Sequence, residues 1–269
     1  MVIIMKLGFS TLGCPDWTFS EIVATAKDMG FSSIEIRGIK NELYAPKIPE
    51  FSKENVSETK EKLKKSKVSI SCLTSQCYFY KGQKYLNEAK EYIEIARAMG
   101  IPYIRVLGDK NPEPSTVDCD LVFSLLKSLD EYAKDSGVMP LIETNGVYAN
   151  SLLLKEMFQS GNFKNLGILW DIHHPYVFYE ETPSYTYTNI GEYVKHIHIK
   201  DSVIDGGKIK YTMVGSGTIP IADCVDAAEK NGFSGVYSLE WVKRWHKDLE
   251  EPGVAFMHYK YFMDGLKKK

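Results

Sequence analysis

Leu166-Gly167-Ile168-Leu169-Trp170-Asp171 is a short apolar run that ends on a carboxylate. Its length and lack of polar alternation read as a strand buried on both faces, the kind that parallel sheets use. A carboxylate at the end of such a strand is costly to bury unless it is paired or holds a cation. The same arrangement recurs upstream in Met139-Pro140-Leu141-Ile142-Glu143 and downstream in Val194 to His198 and Gly235 to Glu240. Three carboxylates and one imidazole at successive strand ends point to a divalent metal site at the mouth of a parallel barrel.

Working outward, short apolar runs alternate with amphipathic ones along the whole chain. Strands are expected near Lys6–Ser10, Ser33–Arg37, Val68–Thr74, Tyr103–Leu107, Met139–Glu143, Gly167–Asp171, His196–Lys200 and Val236–Glu240. Helices are expected over Phe19–Met29, Lys53–Ser66, Lys84–Met99, Val117–Ser136, Ser151–Gln159, Ile221–Asn231 and Pro252–Lys267, where apolar positions such as Ala89, Ile93 and Ala96 recur at helical spacing. Glycine closes helix-to-strand turns at Gly30, Gly100, Gly137 and Gly232, the signature of a helix C-terminus. Eight strand–helix units favour a closed (β/α)8 barrel, a single TIM-barrel domain over residues 1–269, above an open sheet. Tyr176–Tyr187, rich in aromatics, Pro and Thr, reads as a long loop before a short helix near Ile190.

Composition agrees with that architecture. The 269 residues, 44% hydrophobic, can bury a large core. A net charge of −2 argues against a nucleic-acid surface, and Lys267-Lys268-Lys269 reads as a solvated helix end. Five scattered cysteines without a CxxC pair suggest reduced thiols and a cytoplasmic setting. The apolar start, Met1 to Met5, is too short for a signal or a membrane span and reads as the lead-in to the first strand.

Several motifs extend the strand ends: Glu143-Thr144-Asn145, Trp170-Asp171-Ile172-His173-His174, His196-Ile197-His198-Ile199-Lys200-Asp201, Gly215-Ser216-Gly217 and Ser238-Leu239-Glu240. With Lys6-Leu7-Gly8-Phe9-Ser10-Thr11 near the start, they make the chain resemble the xylose-isomerase-like sugar-phosphate isomerase/epimerase TIM barrels, the superfamily of ketose 3-epimerases and inosose-processing enzymes. The resemblance implies that Glu143, Asp171, His198 and Glu240 hold one divalent metal ion, with Mn²⁺ favoured and Mg²⁺, Co²⁺ or Zn²⁺ open. It implies that Glu143 and Glu240 are also the catalytic acid/base pair of an isomerase or epimerase working through a cis-enediolate. His174 matches the family's substrate-contacting histidine. Lys200, Trp17, Arg105 and Arg244 are further substrate-binding candidates. The epimerases carry an arginine after the seventh strand, where this chain offers only Lys200, Lys208 and Lys210. Implied partners are a small sugar or polyol, with no nucleic acid and no membrane; a homo-oligomer stays open, since dimers and tetramers are common among the relatives.

Each reading has a plainer competitor. The quartet could be buried ion pairs with lysines. Glu35 and Arg105 are expected to pair inside the barrel, and His196 and His173 to play supporting or packing roles. Lys200 and Asp201 could form an ion pair or a cap, His258 is expected at the surface, and Gly215-Ser216-Gly217 reads as a turn and not an anion site. The competing functions are an apurinic-endonuclease-like phosphodiesterase with three zinc ions and an inosose dehydratase-type lyase. The first is disfavoured because no histidine precedes His173.

Overall fold

In the computed structural model, which describes residues 5–266, eight parallel strands close into a barrel. In chain order the strands are β1 (Lys6–Ser10), β2 (Ser33–Ile36), β3 (Ser69–Tyr78), β4 (Tyr103–Leu107), β5 (Met139–Glu143), β6 (Gly167–Asp171), β7 (Val194–Ile199), β8 (Asp201–Asp205), β9 (Lys208–Thr212) and β10 (Val236–Leu239). The barrel runs β1-β10-β7-β6-β5-β4-β3-β2, and β8 and β9 form a separate hairpin. The lead-in at Met1 to Ile4 and the lysines at 267–269 lie outside the described residues.

Burial explains the unbroken apolar runs. Every residue of β2 and β6 is buried, because one face meets the barrel interior and the other meets the helices. The helices are α1 (Phe19–Asp28), α2 (Val56–Ser66), α3 (Gln83–Met99), α4 (Cys119–Ala133), α5 (Ser151–Gly161), α6 (His173–Tyr179), α7 (Pro183–Ile190), α8 (Ile221–Lys230) and α9 (Pro252–Leu266). α3 shows why they form where they do. It buries Leu86, Ala89, Ile93 and Ala96 along one stripe. Its end is set by Gly100 at φ 73°, after which Ile101 N–H donates to Ala96 O at 2.8 Å and turns the chain into β4. α1 starts on a capping box, Thr18 with Glu21.

One expectation fails here. The stretch after Asp171 is not a long loop: α6 follows β6 almost at once, and α7 begins on Pro183 with Thr182 as its cap. Seven residues rich in aromatics and containing Pro175 carry little helical signal, so tertiary contacts decide α6. The segment after β7 forms the β8/β9 hairpin, turned by Gly206-Gly207 with both φ values positive. The Asp205-Gly206-Gly207-Lys208 sequence was a readable hairpin signal.

Candidate metal and substrate site

Strand register sets the site. Asp171 on β6 lies beside His198 on β7, and His198 lies beside Ser238 on β10. Glu240 directly follows β10, and its N–H continues the ladder to Ile199 O at 2.9 Å. Glu143 ends β5, next to β6. Four neighbouring strands therefore deliver Glu143, Asp171, His198 and Glu240 to one spot, where one donor atom from each lies within 4.8 Å of the others.

The imidazole is oriented from behind. His198 Nε2 lies 2.8 Å from Glu35 Oε2, and His196 Nε2 reaches the same oxygen at 2.8 Å. With its Nε2–H given to Glu35, His198 turns Nδ1 to the mouth, where its lone pair would meet a metal ion once the proton favoured by the surrounding carboxylates is displaced. That Nδ1 is buried without a hydrogen bond. Around it stand Glu240 Oε1 at 3.5 Å, Asp171 Oδ2 at 3.6 Å and Glu143 Oε1 at 3.7 Å. These separations are too long for hydrogen bonds, yet they match donor atoms arranged about a common ion, which sit roughly 3.4 Å apart when each is ~2.1 Å from the metal in a tetrahedral set. The quartet thus fits a divalent cation.

The surrounding groups hold these four side chains in charge and place. Asp171 Oδ1 accepts from His173 N–H at 3.0 Å, and its own N–H donates to Thr144 Oγ1 at 2.8 Å. Lys200 Nζ lies 2.6 Å from Asp171 Oδ2 and 2.7 Å from Glu240 Oε2. Arg105 pairs with Glu143 and also donates to Ser75 O at 2.8 Å. The expected Glu35–Arg105 pair therefore does not form; Arg105 goes to Glu143 because β4 and β5 are adjacent, and Glu35 faces the two β7 histidines. Burial works against ionisation of Glu143, but Arg105 and His198 outweigh it and bring its pKa down to about 2. Burial likewise opposes the charge on Lys200, and Asp171 and Glu240 overcome it and hold it well above its usual value.

His174 Nδ1 is 2.7 Å from Thr144 O, so Nδ1 carries the proton and Nε2 is the free acceptor. Nε2 lies 3.7 Å from Asp171 Oδ2 and has no hydrogen-bond partner. His173 instead turns its Nε2 to Ser202 Oγ at 2.8 Å, and burial with nearby Lys200 depresses its pKa to about 2.

A cavity of about 280 Å³ opens over the quartet and includes Arg105, Glu143, His174, Lys200 and Glu240 in its lining. Trp17 and Arg244 lie away from it: Trp17 packs edge-on against Phe256, and Arg244 Nη2 reaches Pro15 O at 3.4 Å. The late loop reaches the cavity through Trp245 and His246. Tyr211 of the hairpin covers the site between His173 and His246, with ring centroids 5.7 and 5.1 Å away. Lys208 and Lys210 on β9 are exposed. Sequence reasoning missed Arg37, Tyr78, Lys110 and Tyr211 in this lining. Only the hairpin signal could have suggested Tyr211.

Asp201 does not pair with Lys200. Its carboxylate accepts the N–H groups of Ser202, Gly215, Gly217 and Ile219 at 2.8 to 3.1 Å, so the glycine turn is filled by the chain's own anion. A Cβ at Gly217 would come within 2.1 Å of Asp201 Oδ1, which explains glycine there. His258 is also not a free surface group, since its Nε2 lies 2.8 Å from Val214 O.

A family model described as a xylose isomerase-like TIM barrel matches residues 23–257. No curated protein matches the sequence. Among solved structures, the IOLI protein with a bound zinc atom superposes with a TM-score of 0.79 at 18% identity, covering 98% of each chain. The 3-keto-D-glucoside 4-epimerase YcjR from E. coli gives 0.72 at 18% identity, over 99% of this chain and 100% of that one. The D-allulose 3-epimerase from Methylomonas sp., solved with D-allulose, gives 0.73 at 15% identity, over 97% and 96%. At such identities the likeness is one of fold.

Proposed function

The chain belongs to the xylose isomerase-like TIM barrel family, and from that premise we propose that it is a metal-dependent isomerase or epimerase of a sugar, polyol or sugar phosphate. One observation carries this reading: the unpartnered His198 Nδ1 faces three carboxylate oxygens at 3.5 to 3.7 Å, at the floor of a cavity. Glu143, Asp171, His198 and Glu240 would hold the ion. When bound, it supplies Lewis-acid stabilisation of negative charge developing on adjacent substrate oxygens.

The chain's own groups carry the proton. Glu143 and Glu240 come from β5 and from the end of β10, on either side of β6 and β7, so they bracket whatever enters the cavity. One carboxylate removes the proton from the carbon beside the carbonyl, and the resulting enediolate is reprotonated by the same or the opposite carboxylate. Delivery to the neighbouring carbon isomerises; delivery to the other face of the same carbon epimerises. Lys200 neutralises Glu240 and Asp171 while offering N–H donors at the cavity edge. His174 Nε2 accepts from a substrate hydroxyl, its tautomer set by Thr144 O.

The test begins with elemental analysis of protein purified without chelators, and of metal-free protein reloaded with Mn²⁺. About one divalent ion per chain is expected, lost in His198→Ala. Ketoses, inososes and sugar phosphates are then screened in D₂O for uptake of solvent deuterium at carbon. No ion after reloading would remove the metal from the reading. Turnover that keeps the substrate hydrogen would replace proton transfer with hydride transfer.

A further inference from the structure

The mouth cavity holds one buried cation that the proton-transfer chemistry does not use. Arg37 directly follows β2, four strands around the barrel from β6 and so on the opposite side of the rim from Asp171. It lines the cavity yet is only 6% exposed. Among the described residues no carboxylate or carbonyl meets its guanidinium, and Nη1 is buried without a hydrogen bond. Its guanidinium lies over the Trp245 ring, 5.9 Å from Cζ to centroid, and Arg105 and Glu240 act on its charge without contacting it. The backbone is held firmly, with Arg37 N–H donating to Thr11 Oγ1 at 2.9 Å, so the position is built and not frayed.

The other buried cations are engaged, Arg105 on Glu143 and Lys200 on Asp171 and Glu240. An unpaired buried guanidinium is destabilising, and burial together with nearby Arg105 draws its pKa down to about 10. The local charges point the same way. Arg37, Arg105, Lys110 and Lys200 balance Glu35, Glu143, Asp171 and Glu240, four against four, so a bound divalent ion leaves the site two positive charges in excess. Lys110, exposed at the rim after β4, also lacks a carboxylate partner among the described residues.

We propose that Arg37, with Lys110 at the outer rim, receives an oxyanion on the substrate, so that the site takes an anionic sugar or polyol, a phosphate ester or a carboxylate, and not a neutral one. The planar fork of an arginine suits two oxygens of either group. Tyr78, Tyr211 and Trp245 line the same cavity. The identity of the reacting end rests on the isomerase/epimerase reading; the anion contact does not.

Full-length Mn²⁺-loaded protein is tested by deuterium uptake with a neutral ketose, its terminal phosphate ester and the corresponding keto acid. The anionic members are expected to lead in kcat/KM by about 100-fold or more, and the better of the two names the oxyanion. Arg37→Met should collapse the ratio of anionic to neutral exchange toward one, and Arg37→Lys should keep part of it. Calorimetric titration with inorganic phosphate should show binding weakened at least ~10-fold in Arg37→Met. The Tm of Arg37→Met should match or exceed the parent's, because an unpaired buried charge is removed. A ratio near one in the parent, a ratio unchanged in Arg37→Met, equal phosphate affinities, or a large fall in Tm would each overturn the assignment. If no sugar exchanges while phosphate binding depends on Arg37, the anion receptor stands and the isomerase/epimerase reading falls. If only neutral sugars exchange and phosphate binding ignores Arg37, the reverse holds.

Discussion

The two ends of this barrel differ in a way that size alone would hide. The larger cavity, about 710 Å³, lies at the end where the strands begin, among Lys6, Ser32, Ser69, Tyr103, Lys195 and Gly235. Its polar groups close local turns: Lys6 Nζ donates to Ser234 O at 3.1 Å, Ser32 Oγ to Leu7 O at 3.0 Å, and Ser69 Oγ to Ser32 O at 3.2 Å. The smaller cavity at the other end holds buried polar atoms that lack partners, on Arg37, Arg105 and His174, with those of Asp171 and His198 beneath it. The named groups at the strand-start end are met by the chain's own carbonyls, although neighbouring Ser33 Oγ is not, whereas the mouth gathers several buried atoms with unmet bonding capacity. The functional reading at the mouth therefore rests on unmet bonding capacity and not on volume.

Substitutions at the mouth should have the largest effects. Glu143→Gln or Glu240→Gln should each lower kcat by at least ~10³-fold while circular dichroism stays unchanged. Retained activity in either would end the two-carboxylate mechanism and much of the contrast between the ends. Next comes Lys200→Met, which leaves Asp171 and Glu240 buried without their cation. Denaturant unfolding of the metal-free protein should show a loss of roughly 3–5 kcal/mol. An unchanged midpoint would mean that the carboxylates find water instead.

Acid sharpens the comparison further, because the depressed groups sit at the mouth. His173 falls from its ordinary 6.5 to about 2, and Glu143 from 4.5 to about 2. In both cases the unfolded chain binds the proton first, so each contributes stability that is complete above the unfolded pKa and lost as pH falls toward 2. The Tm of metal-free protein should begin to fall below about pH 6.5 and fall more steeply below about 4.5. Glu143→Gln should make the lower limb shallower without removing it, because Glu35 and Asp171 are also held below their ordinary values by the charges beside them. A Tm that is flat from pH 7 to 3 would contradict both assignments. The smallest effect is expected at the base: Ser69→Ala should change turnover by less than ~2-fold, and a greater loss would give that cavity a role.

How far the chain could be read without coordinates follows the range of the interactions involved. The barrel strands were legible because an apolar run between turn residues is a local signal; β1, β4, β5 and β6 begin and end where the runs do. The family model now supports the architecture. The quartet was legible because a polar residue closing an apolar strand stands out against its neighbours. Arg37 closes β2 in the same way, yet it went unnoticed, since an arginine at a strand end looks like a solvated one until its burial is known. α6 was hidden by its shortness and its aromatics, and the hairpin by an unread Gly-Gly turn.

The sequence by itself determined the parallel barrel and the four polar side chains gathered at one of its rims, because strand period and burial cost are written residue by residue. Only the tertiary structure decided which charge meets which. Glu35 and His198 are 163 residues apart, and Arg105 and Glu143 are 38, so their pairings depend on which strands close beside or across from each other. The same closure left Arg37 facing the site with no carboxylate of its own among the described residues, and no local pattern could have foretold it.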